Sequence, residues 1–336
     1  MKTKNVLVTG GAGFIGSHIA EALSKMKGYK VGIVDDLSGG FIENIPKGVK
    51  FYNSDLCYST PSKRVAQDWG PHILVHCAAN AREGASYFQP RSIVQRNTVS
   101  FTNILSHCLN TRKLEKVVFT SSMSVYGDQE PPFSETMPTK PVDIYGMQKA
   151  VIEQMLKGFA EVYDFSYVIL RPHNVFGPKQ SLQDKFRNVF GIWMNKIMLG
   201  EPVVIFGDGE QTRAFSYIDD SLPVYIKAIT EDIPYDIVNV GGLEEVTIKE
   251  ALSLVKEALG VPQDYSTIYL ADRPKEVKHA YCKHKRMKQL LDNKELIGFR
   301  EGIKRMAKWA KNKGPQKWKE ADPIEINHIS VPEVWR

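Results

Sequence analysis

Tyr145 and Lys149 stand four residues apart in YGMQKAVIEQML, so on a helix they share one face, one turn apart. A phenol ordinarily loses its proton near pH ~10. A neighbouring ammonium favours the phenolate and brings it into range for general-base work near neutrality. Alone, such a pair is most often a coincidence on a solvated helix, and here its position argues otherwise. It opens the helix that follows VVFTSSMSVYG (117–127), a run that passes from apolar residues to the hydroxyls Thr120, Ser121, Ser122 and Ser124, interrupted by Met123. Open α/β sheets place their ligands at such C-terminal strand ends.

A second constellation lies in VLVTGGAGFIGSHIAEAL, where Gly10, Gly13 and Gly16, with Phe14 and Ile15 between them, follow the first strand-like run and open a helix. Glycine permits the tight turn and the close approach of a pyrophosphate to a helix N-terminus, where amides and dipole converge. The spacing is GxxGxxG rather than GxGxxG. Asp35 and Asp36 end the second run, 19 and 20 residues after Gly16. A carboxylate there accepts hydrogen bonds from an adenosine ribose and repels a 2′-phosphate, which points to NAD in preference to NADP. The plainer alternative is a strand-to-helix turn with an exposed Asp pair.

The elements that must position these groups alternate. NVLVTG (5–10), KVGIVDD (30–36), VKFYNSD (49–55), HILVHCAA (72–79) and KVVFTSS (116–122) are nearly continuous in apolar residues, as parallel strands covered on both faces are. Helical patterns occupy 17–25, 64–69, 92–110 and 145–163, and VIL (168–170) supplies a further strand. This rhythm predicts an α/β fold, a Rossmann-type doubly wound parallel sheet over residues 1–171. Beyond Arg171, Pro and Gly punctuate shorter elements, among them EPVVIF (201–206) and helices over 248–259 and 301–311. The expectation is a smaller, partly interleaved α/β substrate-binding domain over 172–313 and an irregular tail over 314–336.

With 336 residues, 43% hydrophobic and 24% charged, the composition is that of an ordinary soluble globular protein. No apolar run approaches bilayer length and residues 1–8 enter a strand directly, so a cytoplasmic location without membrane association is expected. Cys57, Cys77, Cys108 and Cys282 form no CxxC pair, which argues for reduced thiols and no metal site. Residues 273–319 carry 16 Lys/Arg against 4 Asp/Glu. Solvated helix faces or an anionic small substrate explain that surplus; without zinc-finger spacing or an RNA-binding aromatic signature, nucleic acid is not an expected partner.

Together GxxGxxG, the hydroxyls of TSSMSVYG and YxxxK resemble the extended short-chain dehydrogenase/reductases. Within these the chain resembles the NAD-dependent sugar-nucleotide epimerases and dehydratases, with the pattern of UDP-glucose (UDP-N-acetylglucosamine) 4-epimerases. The resemblance runs from residue 4 to 311 and includes RPHNVFGP (171–178), GEPVVIFGDGEQTRAFSYIDD (200–220), NVGG (239–242) and DRPKEVKHAY (272–281). It implies Tyr145 as base, Lys149 as its partner and holder of the nicotinamide ribose, and Ser122 as the hydroxyl bonding the sugar oxygen, with Ser121 and Ser124 structural. Asp35, Asp36, Leu37, Ser38 and Gly39 would cradle the adenosine, and Asp55 and Leu56 would face the adenine. Ala78 and Ala79 would line phosphates and ribose, with Asn97 fixing the backbone there. Asn174, Arg213 and Arg273 would hold a nucleotide-sugar diphosphate, which the planar arginine fork suits. Val204 and Phe206 would lie against its base, with Val189 and Glu276 on the same substrate side. Met123 would pack against the sugar, and Ala280 would leave room for an N-acetyl group.

The resembling dehydratases carry an Asp-Glu pair directly after the catalytic hydroxyl, and the decarboxylases keep the glutamate. Here the two positions are Met123 and Ser124, which neither protonate a leaving hydroxyl nor abstract a carbon-bound proton. The chemistry expected is reversible oxidation at C4 of a UDP-sugar with tightly held NAD, giving a 4-epimerase. Alternatives are a nucleotide-sugar reductase or oxidase with exchangeable cofactor, an epimerase of a UDP-uronate or at C3 or C5, and, remotely, a non-catalytic NAD-binding regulator. A homodimer through 92–110 and 145–163 is implied, with Val151, Met155, Leu156 and Phe159 spaced for it; a face buried in the chain's own core would be spaced alike. Arg82-Glu83 receives no role.

Overall fold

The computed structural model describes residues 3–187, 189–273, 275–319 and 322–335; Pro274 of the DRPKEVKHAY motif and residues 320, 321 and 336 of the tail lie outside them. Six strands in the first half, β1 (Lys4–Thr9), β2 (Tyr29–Asp35), β3 (Lys50–Asn53), β4 (Ile73–His76), β5 (Lys116–Thr120) and β6 (Ser166–Pro172), join one parallel sheet. A seventh, Ile237–Val240, pairs with β6, and the spatial order is 237–240, β6, β5, β4, β1, β2, β3. Because side chains alternate across a strand, Val6 and Val8 point to one face of the sheet and Leu7 to the other. The first face is covered by the helices Phe14–Ser24 and Ile218–Thr230 through Ile19, Leu23, Val224 and Ala228. The second is covered by Ser59–Trp69, Ser100–Asn110 and Ile144–Tyr163 through Val65, Phe101, Leu105, Ile152 and Leu156. Burial on both sides is why these strands read as apolar runs rather than alternating ones.

The chain leaves the sheet after β6 and builds a second layer around Phe190, Trp193, Phe215, Leu252, Phe299 and Met306, returning to the sheet in between with Ile218–Thr230 and Ile237–Val240. The helices over Ile248–Leu259 and Phe299–Lys313 and the strand Val203–Phe206 lie where the sequence pattern predicts them. Three helices escape that pattern, the six-residue Lys285–Leu290 because it is too short to show a period, and two others for physical reasons of their own. Val189–Leu199 is apolar nearly all round because it is buried, which erases the amphipathic period, and Ile218–Thr230 carries Pro223 inside it. The seventh strand is only four residues of IVNV, too short to distinguish from a loop. The helix predicted over 92–110 exists from Pro90, but Gln95–Val99 form a π-helical turn within it, a feature common near functional sites.

One buried ion pair ties these parts together. Arg171 of β6 donates from Nε and Nη2 to both oxygens of Glu153 on helix Ile144–Tyr163, at 2.9 and 2.6 Å, and both side chains are 2% exposed. The remaining Arg171 donor reaches the Tyr126 hydroxyl at 2.8 Å, which donates to Asn239 of the seventh strand at 2.7 Å. Ser121, just past β5, donates to Glu153 at 2.6 Å. Removing one partner leaves the other as an uncompensated buried charge. Arg171→Met is therefore expected to lower unfolding free energy by about 3–5 kcal/mol, read from urea unfolding, and Glu153→Leu added to it should recover part of the loss.

Candidate active site

The strand order reverses between β1 and β4, and the loops that leave these two strands open a crevice there, the place where doubly wound sheets bind ligands. A cleft of about 620 Å³ occupies it, lined by Gly10, Gly13, Phe14, Ile15, Gly16, Asp35, Asp36, Ser38, Gly39, Asp55, Leu56, Ala78, Ala79, Ser122, Tyr145, Lys149 and Asn174 among others. Most of the residues expected around the cofactor therefore meet at one surface.

The glycines are required by close approach. Gly10 has φ +64°, and a Cβ on it would lie 2.8 Å from the Ala78 nitrogen; a Cβ on Gly16 would lie 2.3 Å from the Gly10 carbonyl oxygen. Helix Phe14–Ser24 begins with no side-chain cap and no acid in its first turn, which leaves its amides free for an anion. The acidic pair divides its work. Asp35 accepts from the Ala12 and Leu37 amides at 3.1 and 2.8 Å and pins the glycine loop to the turn after β2; burial pushes its carboxyl group up despite these bonds. Asp36 stays at the cleft. Burial works against its charge, but Ser38 and Arg96 hold its carboxyl below the usual range, with Arg96 Nη1 at 2.7 Å. Asn97, in the π-helical turn, lies behind the surface, donating to the Asn80 carbonyl oxygen and accepting from its amide. These features fit a dinucleotide with its pyrophosphate on the helix and its adenosine ribose at Asp36.

At the far end of the cleft, Tyr145 is 8% exposed and shares the lining with Ser122, which acts on its phenol. Lys149 donates to the Thr120 carbonyl oxygen at 2.7 Å, with its ammonium 5.7 Å from the Tyr145 ring centre. Burial drives the phenol well above its ordinary pKa. Ser122 and Arg187 oppose that rise, whereas Glu83 and Asp143 add to it. Burial also lowers Lys149 to about 8. Ser124, expected to be structural, holds the Ser122 oxygen from both its amide and its hydroxyl, at 3.1 and 3.0 Å. Ser121 is structural, through Glu153.

On the substrate side, Glu276 gathers Arg273, at 2.6 and 2.9 Å, and Arg213, at 2.9 Å, into one knot. Asn174 donates to the Met123 sulfur at 3.6 Å. Met123 and Ala280 are 8% and 1% exposed and pack with Tyr126, Phe133 and Cys282, so both side chains are committed to protein contacts. Val204 and Phe206 lie in the strand Val203–Phe206, and Val189 begins the helix Val189–Leu199. The Phe206 ring faces Trp335 of the tail at 5.8 Å and carries the Arg273 guanidinium at 5.2 Å.

Sequence reasoning gave no role to several charged cleft residues, among them Arg82, Glu83, Arg96, Asp184 and Arg187, and it missed the tail. Arg82-Glu83 lies just past β4, a strand-end position that itself marks ligand loops. The tail docks on its own chain: Lys319 donates to the Leu37 and Ser38 carbonyl oxygens, and Asp322 pairs with Arg96 at 3.3 Å. Nothing local in the sequence signals these long-range contacts. Among the described residues no helix is long and apolar enough to cross a membrane.

Comparison with known proteins agrees with this geometry. Residues 6–241 match the model of the NAD dependent epimerase/dehydratase family. The UDP-glucose 4-epimerase of Thermotoga maritima, solved with UDP-glucose, superposes with a TM-score of 0.84 at 30% identity, covering 92% of this chain and 99% of that one. The UDP-N-acetylglucosamine 4-epimerase of Methanobrevibacter ruminantium, in complex with UDP-N-acetylmuramic acid, gives 0.82 at 32% identity, covering 93% and 100%. The UDP-glucuronic acid 4-epimerase of Bacillus cereus, with UDP-glucuronic acid and NAD, gives 0.81 at 27% identity, covering 92% and 99%. The seven-stranded parallel sheet is thus that of an NAD-dependent enzyme, and the chain belongs to the NAD dependent epimerase/dehydratase family of extended short-chain dehydrogenase/reductases.

Proposed function

We propose that the protein is a UDP-sugar 4-epimerase. The observation that carries this reading is the convergence of Ser122, Tyr145 and Lys149 in one cleft beside the glycine cradle, where a sugar hydroxyl can meet both Ser122 and Tyr145. When bound, NAD supplies the hydride acceptor and a positive charge beside the phenol. Gly10, Gly16 and the uncapped helix start would hold its pyrophosphate, Asp36 its adenosine ribose and Lys149 its nicotinamide ribose. Tyr145 takes the proton of the sugar 4-hydroxyl and later returns it, while Ser122 hydrogen-bonds the same oxygen and keeps it in reach. Arg213, Arg273 and Asn174 clamp the diphosphate, which leaves the sugar free to turn between the two proton transfers. That turn is what inverts the centre without net oxidation.

The positions directly after Ser122 carry no acid, and Met123 is occupied by Asn174 and its packing cluster. This supports epimerisation over elimination of water. The helices flanking the site support a homodimer: Val94, Met147 and Val151 remain 37–41% exposed, whereas Leu156 is consumed by the chain's own core.

UDP-galactose, UDP-N-acetylgalactosamine and UDP-galacturonate are the substrates to offer, with products identified by NMR. At least one is expected to give its C4 epimer with no net change in NADH absorbance; if none does, with or without added NAD, the proposal fails. Tyr145→Phe should lower kcat by about 10²–10⁴-fold while the protein still copurifies with NAD. Val151→Glu should convert the dimer to monomer in light scattering; unchanged mass would remove this face from consideration.

A further inference from the structure

Glu83 is a carboxylate that the reaction above does not use, and its surroundings give it a purpose. It begins the short 3-10 turn Glu83–Phe88 that follows β4. Arg82, Ala85 and Ser86 around it are buried, whereas the Glu83 side chain is exposed. That exposure lies inside the cleft rather than on the outer surface, because Glu83 lines the same cavity as Ser122, Tyr145 and Asn174. Its carboxyl group is close enough to Ser124 to be influenced by it, and the Ser124 hydroxyl is 3.0 Å from that of Ser122. On its other side are the diphosphate-side residues. Gly84 backs directly onto Arg273, so closely that a Cβ there would lie 2.8 Å from Nη1, and Arg213 and Glu276 act on the Glu83 charge. A pyranose spanning from Tyr145 to the arginines has to pass Glu83.

The other charges nearby are already engaged. Asp143 accepts from the Gly146 amide at 2.8 Å as the cap of helix Ile144–Tyr163, and burial, then Glu83, pushes it up to about 7. Arg213 and Arg273 are bound by Glu276 and face the diphosphate. Arg187 pairs with Asp184 at 3.4 Å and reaches Gly39 on the cofactor side. Lys149 is bonded to the Thr120 carbonyl oxygen. Every cation around the sugar position thus has a carboxylate, a carbonyl or a phosphate to serve, and Glu83 presents an acceptor to the sugar itself. Ring hydroxyls donate to such an acceptor, whereas a second carboxylate is repelled in a recessed cleft where water screens poorly.

We propose that Glu83 is the substrate-selecting residue of this site: its carboxyl group, in the cleft with Ser122 and Tyr145 and next to the Arg213–Arg273 knot, accepts hydrogen bonds from the hydroxyls of neutral UDP-hexoses and turns away UDP-uronates. The inference rests on the nucleotide-sugar reading above and narrows it. Selection works by repulsion of the wrong substrate as much as by attraction of the right one.

The test compares kcat/KM of the holoenzyme for UDP-galactose and UDP-galacturonate, and calorimetric affinities for UDP-glucose and UDP-glucuronate. The neutral sugar is expected to be preferred about 100-fold in both measurements. In Glu83→Gln the preference should fall at least about tenfold, mainly through a lower KM for the uronate, since the amide keeps a hydrogen-bonding oxygen but loses the charge. Equal handling of the two sugars by the wild type, or an unchanged ratio in Glu83→Gln, overturns the proposal. The wild-type ratio stands on its own if the variant does not fold. A protein that binds the neutral sugar selectively yet epimerises nothing would refute the 4-epimerase reading and leave the selection intact.

Discussion

The Arg171–Glu153 pair is the constraint on which the active site depends. Ser122 follows β5, Tyr145 and Lys149 ride on the helix Ile144–Tyr163, and the two elements are separated by a loop of more than 20 residues. Backbone pairing fixes β5 against β6, but it does not fix how far the helix slides along the sheet. Glu153 does, because it is bound at once by Arg171 of β6 and by Ser121 beside the catalytic serine. Lys149 and Glu153 are four residues apart on that helix, so the ion pair sets the height of the Lys149 ammonium at the strand end. The Tyr126–Asn239 bond extends the lock to the strand that returns from the second half of the chain. Buried ion pairs often add little to stability and repay their desolvation in uniqueness of arrangement. Here that uniqueness fixes where the Tyr145 phenol sits against Ser122.

The electrostatics of Tyr145 explain why so many groups surround it. Burial disfavours the phenolate, and the carboxylates of Glu83 and Asp143 disfavour it further. Lys149 does not act on the hydroxyl directly in this arrangement; its ammonium lies against the Phe119 and Tyr145 rings and on the Thr120 carbonyl oxygen. The phenol therefore stays protonated until a cation joins it, which couples its basicity to occupancy of the cleft. Burial pushes the Glu83 carboxyl group up, and Arg213 and Arg273 oppose that rise. The same carboxylate that burdens the base is placed to choose the sugar.

The tail over 314–336 closes the cofactor side of this arrangement. Lys319 bonds the backbone carrying Leu37 and Ser38, and Asp322 shares Arg96 with Asp36, so the adenosine end of the cleft is bordered by residues almost 300 positions apart in the chain. Glu325 accepts from the Arg91 and Ser92 amides at the start of the helix that contains Asn97.

The sequence by itself determined the parallel sheet, the glycine cradle, the acids after β2 and the Ser122–Tyr145–Lys149 centre. Each of these is written in local terms: doubly covered strands are continuously apolar, a pyrophosphate turn excludes Cβ atoms at Gly10 and Gly16, and a helical pair four apart shares a face. Tertiary structure alone decided the rest. The seventh strand is too short to carry a period, and Val189–Leu199 is too buried to show one. Which partners each aspartate takes and where the thioether of Met123 points depend on contacts between residues far apart in sequence. Asp35 and Asp36 look alike as letters and both line the cleft, yet the Ala12 and Leu37 amides claim one and Arg96 the other. Met123 and Ser124 showed that acids are missing after Ser122; only the fold, by pairing β4 with β5, brought Glu83 into the cleft that Ser122 lines.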